Sequence, residues 1–494
     1  MSGDKGETTL QRVQREKAEK LERLRAAGIE PYPYRYERNA SAAECRANAE
    51  AWIGADRELS LAGRLMSQRV MGKSSFGHLE DKSGRLQLFL RRDELTEEAY
   101  QLFTKLVDVG DHLGVKGRLF LTKTGELSLR VQDLCLLAKA MHPLPEKYHG
   151  LQDPELRARQ RYLDLAANAE VRALFERRSR ILRLIRDYFE SAGFIEVETP
   201  VLQPLYGGAT ARPFVTRHNA LDRQLYLRIA DELYLKRLVV GGMERVFELG
   251  KIFRNEGMDR AHNPEFTMLE AYAAYWDYGD MMDLVESLYH QLVLALFGEP
   301  RFRYGEVQID ITPPWPRLDY YDALAQHCGR DLREAGREEL AAYAREMEIG
   351  LAPEWGKGKI LDAIAARTVE PALVQPVFLI DHPQDISPLA KAHRSKAGQV
   401  ERFEPFIAGM EVGNAFSELN DPAEQRRRFE EQMGLRAKGD QEAQVLDEDF
   451  LRALEVGMPP TAGLGIGIDR LVMLLTDTHH IRDVLLFPMM RPEA

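Results

Sequence analysis

The chain has 494 residues, a hydrophobic content of 44% and a formal net charge of −11. This length predicts two or three domains, and the hydrophobic content argues against intrinsic disorder. No window approaches the roughly 20 apolar residues of a membrane span, and the first residues lack the apolar core of a signal peptide. Cys45, Cys135 and Cys328 argue against a disulfide framework or a cysteine zinc site, because they are few, distant and odd in number. We expect a cytoplasmic protein with no membrane partner.

Charge is distributed unevenly along the chain. Residues 11–28 carry six Lys or Arg against three Glu, and residues 59–140 carry 13 basic against 10 acidic residues. This asymmetry permits a nucleic-acid face near the N-terminus of an acidic protein, although ordinary solvated charge on helices would leave the same counts. Apolar residues at near-helical spacing predict an amphipathic helix over residues 10–27, which ends at Gly28 and is followed by an extended link up to residue 58.

Strand-like alternation begins at Leu59. LSLAGRLM, SSFGHLE and RLQLFLRR predict three strands, DELTEEAYQLFTKLV predicts a helix with Asp93 as its cap, and two more strands follow across the turn Thr124-Gly125. This order, over residues 59–140, is that of an OB-fold barrel, a frequent binder of single-stranded nucleic acid. An SH3-like or other small barrel is the structural alternative.

Residues 141–168 are rich in Pro and charge and predict a junction between domains. A long helix follows over about residues 169–192 and ends at Gly193. Next, FIEVETPVL predicts a strand that reaches Pro200, and hairpin-like strands follow. Residues 320–373 are predicted to form a mostly helical insertion in a second domain, 169–494. Strands and helices are segregated, which favours an α+β domain on an antiparallel sheet flanked by helices. The sequence contains neither a P-loop nor a Rossmann glycine motif.

One segment, Ile252 to Glu270, combines an Arg-x-Glu pair, a polar loop with a histidine and an aromatic residue. Arg binds phosphate through a rigid charged fork, and an aromatic ring offers a face to a base. Taken alone, an Arg-x-Glu pair such as Arg254 and Glu256 is more often a surface ion pair. The candidate residues of this segment are Arg254, Glu256, His262, Asn263, Phe266 and Glu270.

Three further segments carry possible site chemistry. GFIEVETPVL is a helix-turn-strand without chemistry of its own, and TAGLGIGIDRLVMLL is a glycine-rich strand before a helix that opens with Asp469 and Arg470. Glycines let a ligand approach the backbone closely, but a packed glycine strand has the same pattern. In FEPFIAGMEVGNAFSELND, a turn at Ala408-Gly409 would bring Glu404 and Glu411 together. Two acids near a triphosphate suit Mg²⁺, although they could also line a solvent-facing hairpin.

Alternation places Asn414, Phe416 and Glu418 on one face of the following strand. Glu411 has the opposite parity, so a shared pocket requires a twist or bulge around Gly413.

In order and spacing these segments resemble motifs 1, 2 and 3 of the class II aminoacyl-tRNA synthetases. The resemblance implies a homodimer built on motif 1. It also implies that Arg254 and Arg470 are the catalytic arginines on ATP, with Glu256 and Phe266 on the adenine, His262 and Asn263 near the phosphates, and Glu404 and Glu411 on Mg²⁺.

RIADELYLKRLVVGGMERVFELGKIFRNEG, with YGGATARPF before it, is similar to the bacterial class II lysyl-tRNA synthetases from about Leu59 to the C-terminus. A lysine pocket must neutralise a buried ammonium, which carboxylates do best. The resemblance implies that Glu232, Glu418 and Tyr272 face the side-chain ammonium, that Gly208, Glu270 and Asn414 hold the α-amino and carboxylate groups, and that Phe416 lines the pocket. The family often has Pro where this chain has Asp231.

The resemblance further implies that the barrel reads the anticodon of tRNA(Lys), with Phe76 stacked on a base and Arg69 and Gln87 nearby. Without the family, the sequence slightly favours Phe76 as a core residue over a stacking platform. The expected reaction is ATP-dependent activation of L-lysine and transfer to the terminal adenosine of tRNA(Lys). Alternatives are an aspartyl- or asparaginyl-tRNA synthetase, a paralogue that lysylates a protein such as elongation factor P, and an RNA-binding module with an inactive catalytic domain.

Overall fold

A computed structural model describes residues 8–144, 151–353, 355–437 and 444–492. The chain divides into two compact units, Met1–Gln152 and Asp153–Ala494. This division lies within the junction predicted at residues 141–168. Within the described ranges, no helix has the length and apolar content needed to cross a bilayer.

The first unit combines short helices with five strands. In chain order its elements are α1 (Thr9–Ala26), α2 (Ala42–Ala47), α3 (Ala49–Gly54), β1 (Leu59–Met71), β2 (Ser74–Asp81), β3 (Gly84–Arg91), α4 (Glu97–Gln101), a π-helix (Leu102–Leu106), β4 (His112–Leu121) and β5 (Leu127–Ala138).

These strands close into a barrel in the order β1-β2-β3-β5-β4. Buried leucines and valines on alternate positions of the strands fill its interior, and Phe103 and Tyr100 belong to the same core. The predicted OB-fold order of three strands, a helix and two strands is therefore confirmed.

The predicted helix cap at Asp93 is wrong. The helix begins at Glu97, and the Thr96 hydroxyl accepts a hydrogen bond from the backbone N–H of Ala99 at 3.2 Å. Asp93 instead forms an ion pair with Arg91. Asp and Thr are both favourable N-cap residues. Thr96 is the cap here because it immediately precedes the first helical residue.

The second unit is larger and mixes helices with strands. Its helices are α5 (Pro154–Arg159), α6 (Arg161–Ala167), α7 (Ala169–Ser191), α8 (Glu232–Val240), α9 (Tyr278–Phe297), α10 (Tyr320–Cys328), α11 (Arg337–Glu346), α12 (Lys357–Thr368), α13 (Pro422–Ala437), α14 (Glu448–Gly457), α15 (Ile468–Leu475) and α16 (Ile481–Val484), with 3-10 turns at Glu370–Ala372 and Gln384–Ile386. Its strands are β6 (Ile195–Glu196), β7 (Leu202–Gln203), β8 (Val215–His218), β9 (Arg223–Leu227), β10 (Arg245–Phe253), β11 (Glu265–Ala274), β12 (Arg301–Tyr304), β13 (Val307–Asp310), β14 (Arg317–Asp319), β15 (Val377–Ile380), β16 (Arg402–Ile407), β17 (Met410–Glu411), β18 (Asn414–Ser417) and β19 (Thr461–Gly467).

One large sheet organises this unit, in the order β14-β15-β16-β18-β19-β11-β10-β6, with β17 paired to β16. The pairs β14–β15 and β10–β6 are parallel, and the other pairs are antiparallel. The main hydrophobic core covers one face of the sheet with residues from α7, α9 and α15. The predicted α+β class with helices on an antiparallel sheet is confirmed, with parallel pairing only towards its two edges.

The strand predicted to run from Phe194 to Pro200 is much shorter. Only Ile195 and Glu196 pair with β10, and the following residues reach Pro200 without a strand ladder. Proline lacks a backbone N–H and cannot continue a strand ladder. The residues before it make isolated backbone hydrogen bonds, such as that from Val197 N–H to Phe247 O.

Candidate active site

A cavity of about 370 Å³ opens on the sheet face opposite the main core. Its floor is the strand β19, where Gly463, Gly465 and Gly467 all line the cavity. Because side chains alternate along a strand, glycines at every second position leave one face of β19 bare. A ligand can therefore lie directly against the backbone there.

Strand register places side chains on both sides of this bare strip. Tyr272 of β11 and Phe416 of β18 both pair with Gly463. Glu270 and Asn414 pair with Gly465 in the same way, from the same two strands. Residues directly opposite each other in a ladder share a face of the sheet. The antiparallel pairing thus brings residues about 150 positions apart in the chain onto one wall of the cavity.

The register also resolves the parity of Glu411. In the hairpin, Phe406 pairs with Glu411, whereas further along the same strand Arg402 pairs with Phe416. The two pairings differ by one residue, so a bulge lies between Glu411 and Asn414. The predicted irregularity around Gly413 is present, and it turns Glu411 to the same face as Asn414.

Two acids and a lysine form a buried cluster at one end of the cavity, where Glu232 lines the cavity and Glu418 and Lys236 lie directly behind its wall. Glu232 begins α8, and Lys236 lies one turn later, with its Nζ 2.5 Å from Glu232 Oε1 and in an ion pair with Glu418 Oε2. The exposed fractions are 5% for Glu232, 0% for Lys236 and 1% for Glu418. Burial alone would lower the pKa of Lys236, but the two carboxylates raise it above its ordinary value.

Gly463 makes room for this cluster. A Cβ at position 463 would lie 2.0 Å from Glu418 Oε1 and 2.5 Å from Tyr272 Cε1. These distances are far below van der Waals contact, so any side chain at this position would displace the carboxylate or the ring. Gly208 is similarly constrained, with φ +85° and a Cβ position 3.0 Å from Glu232 Cβ.

Glu270 lies beside this cluster with two donors of its own. The Asp231 backbone N–H donates to Glu270 Oε1 at 3.0 Å, and the Tyr272 hydroxyl donates to Glu270 Oε2 at 3.2 Å. Burial and the nearby Glu232 carboxylate raise the pKa of Glu270 to about 7. Proline has no N–H, so this bond to Glu270 exists because the chain has Asp231 there.

The opposite end of the cavity is basic and aromatic. The Arg254 guanidinium lies 5.1 Å from the centroid of the Phe266 ring. Arg470 Nη1 donates to the backbone oxygen of Glu411 at 3.0 Å and lies 3.1 Å from its Oε2, and Arg470 Nη2 donates to His262 Nε2 at 2.9 Å. All five of these residues line the cavity, as do Glu256 and Asn263.

The tautomer of His262 follows from its two contacts. Its Nε2 accepts from Arg470, so the ring proton resides on Nδ1, which donates to Asp259 at 2.9 Å. Asn263 donates to the backbone oxygen of Glu265 at 2.6 Å. The polar loop is therefore held by its own side chains.

Glu404 lies next to the cavity wall without forming part of it. Arg402 Nη2 donates to Glu404 at 2.5 Å, and Arg402 Nε donates to Asn414 Oδ1 at 2.8 Å. Burial raises the pKa of Glu404 to about 8, with Arg402 opposing the shift and Glu411 adding to it. Glu370, nearby, has its pKa raised to about 7 by burial and by other acids. Acidic groups here outnumber their cationic partners.

The sequence analysis predicted no role for three residues of the site: Lys236, Arg402 and Asp469. Asp469 Oδ2 accepts from the Thr267 backbone N–H at 2.7 Å, and Asp469 Oδ1 lies 2.7 Å from Arg178 Nη1. The sequence did contain a pattern that indicated contacts of Lys236 and Arg402. Lys236 follows Glu232 by four residues, the spacing of a helical ion pair, and Arg402 alternates with Glu404 along one strand.

In the first unit, Phe76 lies on the outer face of the barrel rather than in its core. Its ring centroid is 5.0 Å from that of Phe89, which in turn is 5.5 Å from Phe120. Arg69 is exposed and pairs with Phe76 across β1 and β2, and Gln87 Oε1 accepts from the Ser128 hydroxyl at 2.7 Å. The three predicted residues thus lie on neighbouring strands.

Known proteins match both units. Residues 153–491 match the family described as tRNA synthetases class II (D, K and N), and residues 59–137 match the OB-fold nucleic acid binding domain. The chain is similar to a lysine–tRNA ligase of Moorella thermoacetica, with 53% identity over 477 residues, covering 96% of this chain and 97% of the relative.

Two further relatives carry the same name. The chain is similar to a lysine–tRNA ligase of Thermoanaerobacter sp., with 49% identity, covering 98% of this chain and 97% of the relative. The lysine–tRNA ligase of Aquifex aeolicus is 53% identical, covering 88% of this chain and 74% of the relative. The glycine strand forms the cavity floor, and the site residues lie in register on the strands beside it. Because the family model also matches most of its length, the chain belongs to the class II tRNA synthetases of the D, K and N group.

Proposed function

We propose that this chain is a lysine–tRNA ligase, which activates L-lysine with ATP and transfers the lysyl group to tRNA(Lys). The observation that carries the proposal is the buried acidic end of the cavity, where Glu232 and Glu418 lie beside Tyr272. Buried carboxylates are the partners that a buried ammonium requires. The names of the similar proteins support the same substrate.

The amino acid lies along the glycine strip in this proposal. Its side-chain ammonium faces Glu232 and Glu418, with Tyr272 and Phe416 packed along the methylene chain. Its α-ammonium faces Glu270, and Gly208 and Asn414 complete the wall near the α-carbon. Arg254, on which Glu270 acts as a charged neighbour, then faces the α-carboxylate, which is directed towards the nucleotide.

ATP occupies the basic and aromatic end. Its adenine stacks on Phe266 and is read by Glu256, while Arg254, Arg470, His262 and Asn263 contact the phosphates. A lysine carboxylate oxygen attacks the α-phosphorus, the bond to the β,γ-phosphates breaks, and pyrophosphate leaves. The attacking carboxylate is already ionised, so the step needs no general base. Catalysis consists of positioning and of charge stabilisation by the two arginines.

In the second step, the terminal adenosine hydroxyl of tRNA(Lys) attacks the carbonyl carbon of lysyl-adenylate. A lysyl ester forms, and AMP leaves with the bonding electrons. The hydroxyl proton is released in this step.

The residues around Glu404 and Glu411 fit a magnesium ion. Glu404 pairs with Arg402 and Glu411 pairs with Arg470, and Glu370 adds a further acid beside them, so the acids outnumber the cations. Within the described ranges, no group of three or more His, Cys, Asp or Glu could hold a metal. Mg²⁺ commonly takes one or two carboxylates together with phosphate oxygens, so two acids suffice. When bound, Mg²⁺ would neutralise charge on the phosphates.

The barrel is the proposed anticodon reader. Aromatic side chains on an outer barrel face provide stacking surfaces for single-stranded bases, and Arg69 adds positive charge at the edge of that face.

We also propose a homodimer formed through the segment after α7. The exposed apolar side chains of Ile195 (54%), Val201 (39%) and Leu202 (49%) in this segment support it, because exposed apolar surface marks interfaces. The cytoplasm is the expected compartment.

Amino-acid-dependent pyrophosphate–ATP exchange across all twenty amino acids tests the substrate. We expect exchange with lysine and little with aspartate or asparagine.

Arg254→Ala should abolish lysine-dependent exchange, whereas near-normal exchange would remove Arg254 from the mechanism. Glu232→Gln should raise the KM for lysine far more than the KM for ATP, and an equal rise in both would contradict its proposed role.

A further inference from the structure

Lys236 is a buried cation in the acidic end of the cavity, and the proposed reaction assigns it no role. It is fully buried, packed among the apolar residues of α8 and α14, and its Nζ lies 5.6 Å from the Phe416 ring and 5.9 Å from the Phe450 ring. Burying an ammonium costs free energy, and an apolar side chain of similar length would avoid that cost. The position therefore calls for an explanation beyond packing.

The contacts of Lys236 divide the two carboxylates into used and unused oxygens. Lys236 contacts Oε1 of Glu232 and Oε2 of Glu418. Glu418 Oε1 has no hydrogen-bond partner among the described residues, and it occupies the space above Gly463 on the cavity floor. Glu232 lines the cavity directly. Glu418 is therefore held by one oxygen, and its other oxygen is available for a further donor beside the cavity floor.

We infer that Lys236 is a specificity-determining positioning residue, an internal counterion that bridges Glu232 and Glu418 and sets the pocket to accept one further ammonium group. The inference rests on the proposed function, since it assigns the side chain of lysine as the partner of the remaining Glu418 oxygen. Lys236 does not contact the reacting atoms and takes no part in the chemical step.

A charge-rescue experiment separates this role from a merely structural one. In Glu232→Gln, Lys236 and Glu418 form a neutral pair, and the ammonium of Lys236 repels that of the substrate. We expect the KM for lysine to rise roughly tenfold to a hundredfold, with the KM for ATP little changed. Adding Lys236→Met removes the repelling charge and leaves Glu418 for the substrate, so the double variant should recover about tenfold of that loss.

Arg237→Met is the matched control. Arg237 is the next residue on α8, but its guanidinium contacts Asp447 at 2.8 Å and Asp449 at 3.5 Å, outside the acidic cluster. Combined with Glu232→Gln, it should change the KM for lysine by no more than about twofold, as expected for independent sites. Recovery by this control as well would show that any loss of positive charge suffices, and it would overturn the inference.

Thermal melting of each variant, with and without lysine, verifies that the variants fold. If Glu232→Gln/Lys236→Met does not fold, Lys236→Gln replaces Lys236→Met in the double variant. This substitution removes the same charge and retains polar contacts, so the same recovery of the KM for lysine is expected. A double variant with a KM for lysine equal to or above that of Glu232→Gln would overturn the inference. Wild-type protein without lysine-dependent exchange would remove the proposed function and the inference together, whereas wild-type activity without rescue would overturn the inference alone.

Discussion

At the scale of single residues, Gly463 is the position with the least freedom in the site. A methyl group there would meet both the Glu418 carboxylate and the Tyr272 ring. We expect Gly463→Ala to raise the KM for lysine about tenfold or more, because overpacking at such a contact must displace one of them. The KM for ATP should change little.

Lysine-dependent exchange kinetics measure this effect, and Gly336→Ala serves as the control. Gly336 is also a glycine, but its Cβ position has no heavy atom within 4 Å. An unchanged KM for lysine in Gly463→Ala would mean that the acidic end of the cavity does not hold the substrate.

The raised pKa of Glu270 predicts how lysine binding depends on pH. Below pH 7 the carboxyl is protonated and cannot neutralise the α-ammonium of the substrate. Proton and substrate therefore compete, and the KM for lysine should fall about tenfold between pH 6 and pH 8, as expected for one titrating group. Glu270→Gln should weaken lysine binding and flatten this profile. A wild-type profile that is flat over this range would contradict the proposed role of Glu270.

Sequence patterns predicted the residue types of the site but not all of their contacts. Arg254, Arg470 and the acids were found because their types and spacing match a family with a shared chemistry. Asp93 failed as a cap because Thr96 lies closer to the helical run, a competition between two good caps that spacing alone did not resolve. Lys236 was missed because a helical Glu–Lys pair is ordinarily a surface feature, and its burial depends on packing against distant elements.

At the scale of elements, the barrel face that bears Phe76 predicts a separation of the two reaction steps. Stacking of a base on an aromatic side chain contributes about 1–3 kcal/mol, so Phe76→Ala should raise the KM for tRNA about fivefold to a hundredfold. Lysine-dependent exchange, which does not require tRNA, should be unchanged.

Comparison of tRNA charging with exchange measures this separation. Leu121→Ala is the matched control, since Leu121 is an apolar residue of the same barrel with 59% of its surface exposed. Equal loss of charging in both variants would show that the effect comes from the barrel as a whole, and it would remove Phe76 as a stacking residue.

Strand register was only partly predictable at this scale. Alternation in the sequence placed Asn414 and Phe416 on one face and indicated that Glu411 required an irregularity. The location of the bulge depends on how β16 pairs with two strands at once, which is a non-local property. For the same reason, the brief pairing of Ile195 and Glu196 was overestimated as a full strand.

At the scale of the whole molecule, buried acids make stability depend on pH. Burial raises the pKa of Glu270 to about 7, of Glu404 to about 8 and of Asp231 to about 9. The folded protein therefore binds more protons than the unfolded chain between about pH 4 and pH 9, and the free energy of unfolding falls as pH rises through that window. Asp310 and Glu424, with pKa values lowered to about 2, act in the opposite sense below that window, and His382, whose pKa burial lowers well below its ordinary value of 6.5, does so in the acidic part of it.

Thermal melting between pH 6 and pH 9 tests this dependence. We expect the Tm of the free protein to fall by several degrees across this range. Lysine together with ATP and Mg²⁺ should reduce the fall, because bound cations compensate the same carboxylates. A Tm that stays constant or rises with pH would contradict the buried acidic character of the site.

The bulge between Glu411 and Asn414 holds one residue more than a regular ladder needs. Without Gly413, regular alternation would keep Glu411, Asn414 and Phe416 on the cavity face and the buried Val412 and Ala415 on the core face. Loss of one residue within β18 itself would instead turn the side chains on one side of the gap to the other face. Among descendants of this gene, we therefore expect the loss of a single residue to be tolerated at the bulge and to be rejected within the neighbouring strands.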